Sequence, residues 1–386
     1  MEEKTKTKKI VNQNHVPQEL IIQILLRLPV QSLLRFRCVS KLWFSLISHP
    51  TFAISHFQLS SPRLLYLPLT FHASQTRSID LSHSLLTRSP FARPNPSFLP
   101  PTSYCDIQGS CRGFLLLRHS FRNLYLWNPS TRVHKPLSPS HIITDEHKPL
   151  FYGFGYDSSR DDYLVLRSSC LHIGVGLFRN CFEFFSLRAN SWNQFEGNHL
   201  PYRNASDDPR TGTLLNGIIH WLAFRYDVRA NVILAFDLTE RSFSEVRLPT
   251  DFDSPLRFSN LCLLGGFLGL YVTGSRTTDI WIMKEYRVQS SWSKSIVVAI
   301  DDLPSKYFSP ICSTKGGDIV GLDCSTRLVK CDAEGRVLEH CSHSDDPHGC
   351  KAYVYRESLL SLPPVAGGEQ DAEDDDWQND ETAGGH

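Results

Sequence analysis

The stretch VPQELIIQILLRLPVQSLLRFRCVSKLWFSLISHPTF, Val16 to Phe52, constrains this chain most, because it carries more apolar surface than so short a segment can bury on itself. Three short helices are expected there. Pro17 suits the first helical position, where a missing N–H costs nothing, and Glu19 suits the positive end of the helix dipole. Leu20, Ile21, Ile24, Leu25 and Leu28 recur at helical spacing up to Pro29. Ile22 and Leu26 widen the apolar surface until Gln18, Gln23 and Arg27 are the polar edge. Leu33, Leu34 and Phe36 continue the pattern in a second helix, and Ser40 offers an N-cap for a third carrying Leu42, Trp43, Leu46 and Ile47. The surplus apolar surface calls for a partner. If about five of these side chains finish buried on one, at roughly 1.5 to 3 kcal/mol each, the gross gain is on the order of 10 kcal/mol before association costs.

The run L-x-x-x-I-L-x-R-L-P-V-x-S-L-L-R-F-R-C-V-S-K-x-W resembles the F-box, the adaptor-binding module of SCF-type cullin ubiquitin ligases, in its plant form. The resemblance implies that Pro17, Leu20, Ile24, Leu25, Leu28, Pro29, Leu33, Val39 and Trp43 line the contact with a Skp-type adaptor or brace the residues that do. One position departs from the family: Val16 stands where a leucine usually precedes the first proline.

Downstream of this segment helical periodicity stops. From about Arg63 to Leu362, short apolar or aromatic runs are punctuated by Gly, Pro, Asn, Asp and Ser, as an all-β domain requires. An apolar strand, a polar turn and a second strand recur in TRSIDLSHSLL, LYLWNPSTRVHKPL, FEFFSLRANSWNQF, ILAFDLTERSFSEV, IWIMKEYRVQSSWSKS and LVKCDAEGRVLEHC. The turn entrances at Asp80, Asn128, Ser186, Asp237, Lys284 and Asp332 are spaced by 48, 58, 51, 47 and 48 residues, the period of a four-stranded propeller blade. Asn128 before Pro129, Asp237 ahead of Thr239 and Gly335 supply turn chemistry. LTFHASQ and SPFARPNPSFLPP read as loops around the irregular first repeat. A ring must close, and the late strand Ala352 to Leu362 is placed to complete the first blade from the other end of the chain.

The matches SCRGFLLL, LYLWNPSTR, YGFGYDSSRDDYLVL, FFSLRANSW, LNGIIHW, ILAFDL, IWIMKEY, SWSK and YRESLLSL span most of residues 110 to 362 and are similar to the F-box-associated domain that follows many plant F-boxes. In this order, behind an F-box, they imply a kelch-like β-propeller of about six blades that recognises a substrate protein. The expected organisation is therefore multidomain, α plus all-β. It comprises a disordered basic arm over 1–14, an F-box over 15–55, a propeller over 56–362 and a disordered acidic tail over 363–386.

Composition limits the function classes. The 386 residues carry 40 basic and 40 acidic side chains, and eight of the acids lie from Gly367 onward, leaving the remainder at 40 minus 32, or +8. That mild excess lacks the clustered Lys/Arg stripe or aromatic interleaving of a nucleic-acid binder. No run reaches membrane-span length and the first fifteen residues lack an apolar signal core, so a cytoplasmic or nuclear location and no membrane partner are expected. Eleven cysteines without a C-x-x-C pair read as small buried thiols in a reducing compartment.

Catalytic motifs are absent: there is no G-x-S-x-G elbow, P-loop or H-E-x-x-H helix. Gly153 and Gly155 in GFGYDSS read as strand-edge glycines beside a turn. His220 beside Trp221 reads as a buried histidine bonded to a backbone carbonyl, and Asn204 of the N-A-S sequon as a loop residue. HCSHSDDPHGC groups His340, Cys341, His343, His348 and Cys350, with four N/S donors of zinc type, but the spacing fits no zinc module and Asp345 to Pro347 reads as an exposed turn. The chain is thus expected to be a non-catalytic substrate receptor without cofactor or metal. It would join a target protein, through the adaptor, to cullin and RING subunits. The other reading keeps the propeller as a binding module for a glycan or small ligand, with a non-functional F-box.

Overall fold

A computed structural model describes residues 16–68, 76–81, 85, 94, 96–100, 104–119, 123–141, 148–174, 177–195, 200–204, 209–252, 254–323, 327–342 and 350–364. The basic arm, LTFHASQ (69–75), most of the proline-rich segment and the acidic tail from 365 lie outside them.

The N-terminal segment folds into four helices: α1 (Gln18–Leu25), α2 (Val30–Phe36), α3 (Lys41–Ser48) and α4 (Pro50–Leu59). Pro17 and Pro29 sit one residue earlier than the first-turn position, capping α1 and α2 with extended ψ angles of 139° and 148°. Ser40 caps α3 as its sequence suggests, accepting the Trp43 N–H at 3.2 Å. The fourth helix extends the expected three. Pro50 opens it, where its fixed φ suits the first turn, and the His49 ring accepts the Thr51 N–H at 3.3 Å. The His56 imidazole donates from Nε2 to the Leu28 carbonyl at 2.8 Å, tying α4 to the chain between α1 and α2.

Six antiparallel-rich sheets follow. Blade one holds β1 (Pro62–Pro68) and β2 (Arg77–Asp80); blade two holds β3 (Cys105–Cys111), β4 (Phe114–His119), β5 (Asn123–Trp127) and β6 (His134–Pro136). Blade three is built from β7 (Lys148–Asp157), β8 (Asp162–Gly174), β9 (Leu177–Ser186) and β10 (Ser191–Gln194). In blade four, the inner strand is divided between β11 (Tyr202–Arg203) and β13 (Thr213–Leu215), with β14 (Ile218–Arg225), β15 (Ala230–Asp237) and β16 (Ser242–Val246) outside it, while β12 (Arg210–Thr211), between the two pieces, joins the sheet of blade three. Blade five is β17 (Ser259–Leu264), β18 (Phe267–Thr273), β19 (Thr277–Met283) and β20 (Trp292–Ala299). Blade six is β21 (Ser309–Ser313), β22 (Ile319–Asp323), β23 (Arg327–Cys331) and β24 (Val337–Ser342). The last strand, β25 (Cys350–Arg356), pairs with β1 from Pro62↔Arg356 to Pro68↔Cys350 and becomes the inner strand of blade one. Chain ends far apart in sequence thereby close the ring.

The repeated turn entrances all fall where the third strand of a blade ends. Asn128, Asp237 and Asp332 each accept the N–H two residues on, at 2.9, 2.9 and 3.0 Å, so one Asx device serves three blades. Gly335 takes the positive φ that its turn needs. Gly153 and Gly155, by contrast, lie inside β7 rather than beside a turn. A Cβ at Gly153 would come within 2.7 Å of the Trp221 ring, so the missing side chain lets blades three and four approach.

Blade four departs from the simple pattern. The pairing slips by six residues between Arg203↔Phe224 and Thr213↔His220, and the extra chain swings out as β12 to pair in parallel with β7 of blade three. Arg210 rides on this detour.

Candidate functional site

The nine candidate residues of the helical segment divide by burial. Leu25 and Leu33 are fully buried with Val30 and Ile47, and Leu28 and Trp43 pack half-buried against that group. Trp43 meets Phe36 edge-on with ring centroids 5.3 Å apart. Pro17, Leu20, Ile24, Pro29 and Val39 are exposed, Leu20, Ile24 and Val39 at 55, 57 and 61 %. Leu20 and Ile24 are one helical turn apart on α1, on a helix whose opposite side buries Leu25. Leu20 and Ile24 thus turn a paired apolar face toward solvent.

Sequence reasoning passed over Phe44, which is 56 % exposed, and Ile54 of α4. Helical spacing carries no signal for Phe44: it stands three residues before Ile47, on a neighbouring phase, and only the packing leaves it exposed while Ile47 is buried.

The helical segment is not a free appendage. Its buried side chains share one continuous core with Phe114, Leu116 and Leu126 of blade two, with Tyr163 of blade three, and with Leu359 and Leu360 of the segment after β25. That strap, Glu357 to Leu362, is pinned at several points. The Asn128 side chain donates to the Ser358 carbonyl at 3.0 Å, the Ser358 N–H reaches Ser130 Oγ at 3.4 Å, and the Glu357 carboxylate accepts the Val30 N–H at 3.1 Å.

Other candidates resolve into structural roles. His220 is buried, donating from Nδ1 to the Thr213 carbonyl at 3.1 Å and accepting at Nε2 from the Tyr286 hydroxyl at 2.7 Å. Burial holds its pKa down, to about 4, despite the Thr213 carbonyl. Asn204 accepts from Arg210 Nε at 2.7 Å. Of the histidine- and cysteine-rich segment, Cys341 and Cys350 are buried in the core between blades one and six, and His340 Nε2 lies 3.1 Å from Asp323. His343 and His348 lie outside the described residues, and no metal-ligating group of three occurs among the described ones. Eight of the ten described cysteines are buried and none is in a disulfide; burial pushes the Cys111 and Cys262 thiols up to about 12. No helix among the described residues is long and apolar enough to cross a membrane.

Comparison with known proteins agrees with this architecture. The F-box domain family model matches residues 14–55, and that of the F-box associated beta propeller domain matches residues 69–329. An F-box/kelch-repeat protein of Arabidopsis thaliana is 30% identical over 370 residues, covering 92% of this chain and 98% of the relative. The F-box protein CPR1 of the same plant is 30% identical over 381 residues, covering 89% and 88%. Four helices bearing an exposed apolar face, strapped to a six-bladed ring, thus coincide with both family matches, and the chain belongs to the F-box proteins that carry an F-box-associated β-propeller domain.

Proposed function

We propose that this chain is the substrate-recognition subunit of an SCF-type ubiquitin ligase. Its helical segment docks on a Skp-type adaptor through Pro17, Leu20, Ile24, Pro29 and Val39. Leu25, Leu28, Leu33 and Trp43 act from beneath by holding α1 to α3 in place. The propeller holds a target protein.

The observation that carries this reading is the pairing of exposed Leu20 and Ile24 with a strap that fixes the helices to the ring. An adaptor gripping α1 would thereby also position the propeller and whatever it holds. The mechanism is positional: a lysine of the target is kept near a ubiquitin-charged enzyme on the RING subunit, which raises its effective concentration. This chain supplies no nucleophile, acid or base to the transfer; its candidate base, His220, is buried and neutral at physiological pH.

Reconstitution tests the reading. The full chain, mixed with adaptor, cullin and RING subunits, is expected to co-elute as one complex. Failure to join the adaptor under any of these conditions would remove the ligase assignment.

A further inference from the structure

The F-box and its strap occupy one identifiable face of the propeller. β1 is entered from α4 at Pro62, directly opposite Arg356, where β25 ends and the strap begins. The strap crosses Gly113 in the β3–β4 turn and Asn128 at the β5–β6 turn. All of these belong to the rim formed by turns between first and second, and third and fourth, strands. The opposite rim carries the hairpins between second and third strands and the links between blades, and none of the strap contacts reaches it.

On that opposite rim the central channel opens. A cavity of about 440 Å³ runs between the inner strands of all six blades. Arg257 and Lys351 stand at its mouth, beside the first residues of β17 and β25, with Tyr307 just ahead of β21. Arg210, delivered by the β12 detour, completes the set. Arg210 is 6 % exposed, and its guanidinium donates to neutral oxygens: Asn204 Oδ1 at 2.7 Å, Leu256 O at 2.6 Å, Ser259 O at 2.8 Å and Asn260 Oδ1 at 3.1 Å. Among the described residues no Asp or Glu lines the cavity; segments 205–208 and 343–349, which border it in sequence, lie outside them. A buried cation satisfied by neutral acceptors keeps its net charge, and low-dielectric walls focus that field toward the opening. Exposed apolar side chains share this rim: Phe258, with Arg257 4.5 Å over its ring, lines the cavity, and Tyr226 and Val228 stand farther out at the tip of the β14–β15 hairpin, on either side of Asp227, which pairs with Arg225.

We propose that the target docks on this open rim and inserts an acidic peptide segment into the channel mouth, where Arg210, Arg257 and Lys351 supply the positive charge and Phe258 and Tyr226 the apolar contact. This deepens the receptor reading and rests on it. The occupant is an acidic chain rather than a free anion because the apolar anchors extend the charged mouth into a surface longer than a small ion can cover.

The test uses the full chain bound to its adaptor and a fluorescein-labelled octapeptide of alternating Asp and Glu, read by anisotropy. A second form, with the eight tail acids changed to Asn or Gln, controls for competition by the acidic tail. Binding by either form, weakened at least 10-fold by the Arg257→Glu/Lys351→Glu pair and by raised salt, is the expected result, with an Asn/Gln octapeptide not bound. Three results would overturn it: no binding by either form, binding indifferent to the charge reversal, or displacement by citrate at matched charge concentration, which would mark a small-anion site. Adaptor capture is measured on the same samples. Its loss would count against the ligase reading, whereas its retention beside a failed peptide assay would count against the channel mouth alone.

Discussion

The carboxylate of Glu357 accepts the backbone N–H of Val30 at 3.1 Å, so a residue just past the last strand caps the second helix of the chain. Val30 opens α2, where the N–H has no partner within the helix, and a negative charge there also suits the helix dipole. The ring-closing strand and the F-box are thereby coupled. Glu357→Ala is expected to cost about 1 kcal/mol, the usual worth of a helix cap. Hydrogen exchange at residues 30–36 should speed up while exchange in the propeller strands stays unchanged; equal exchange in the variant would show the cap to be inert.

Gly113 gives the strap its seat. Its φ is +85°, and an added Cβ would collide with the Cβ of Ser358. Gly113→Ala therefore combines left-handed strain with a clash, and a loss of at least about 2 kcal/mol in urea unfolding is expected. A smaller loss would mean that the strap can lift without consequence.

Closure of the ring depends on β25. A chain ending before Cys350 loses the β1 pairing partner and leaves Leu64 and Tyr66 without cover, so it is expected to unfold without a cooperative transition. A chain ending at Pro364 keeps strand and strap and should unfold as the full chain does. Near-ultraviolet circular dichroism against urea separates the two outcomes.

His220 makes the propeller acid-sensitive. Burial, aided by the positive charge of Arg287, lowers its folded pKa from 6.5 to about 4, against the raising effect of the Thr213 carbonyl. The folded state therefore favours the neutral ring, and the unfolded state takes up the proton first. Its contribution is complete above about pH 6.5 and declines as pH falls toward 4, by an amount on the order of 3 kcal/mol. His220→Gln should flatten that part of the stability-versus-pH curve; an unchanged slope would remove His220 as its source.

Much of this molecule was legible because its signals are local. The Asx turns at Asn128, Asp237 and Asp332 write the blade period directly into the sequence, and the Ser40 cap marks the start of α3. What escaped depends on long-range contacts. The role of Glu357 exists only when Val30, 327 positions away, is brought beside it, and the β12 detour is a choice between two neighbouring blades that no local pattern records. α4 was hidden by its mixed polarity, since Phe52, Ala53 and His56 are buried among exposed neighbours. The nine adaptor-side candidates came as one set from the family resemblance, and only burial separates exposed Leu20 and Ile24 from the supporting Leu25 and Leu33.

The most direct measurement is the affinity of the purified adaptor for the full chain and for its Leu20→Glu/Ile24→Glu form, by calorimetry, with tryptophan fluorescence confirming an intact propeller. Both side chains are exposed, so folding should be unaffected. Losing two apolar anchors at roughly 1.5 to 3 kcal/mol each predicts at least about a 100-fold weaker complex. An affinity unchanged by the double substitution, or a native chain that does not bind the adaptor at all, would contradict the account.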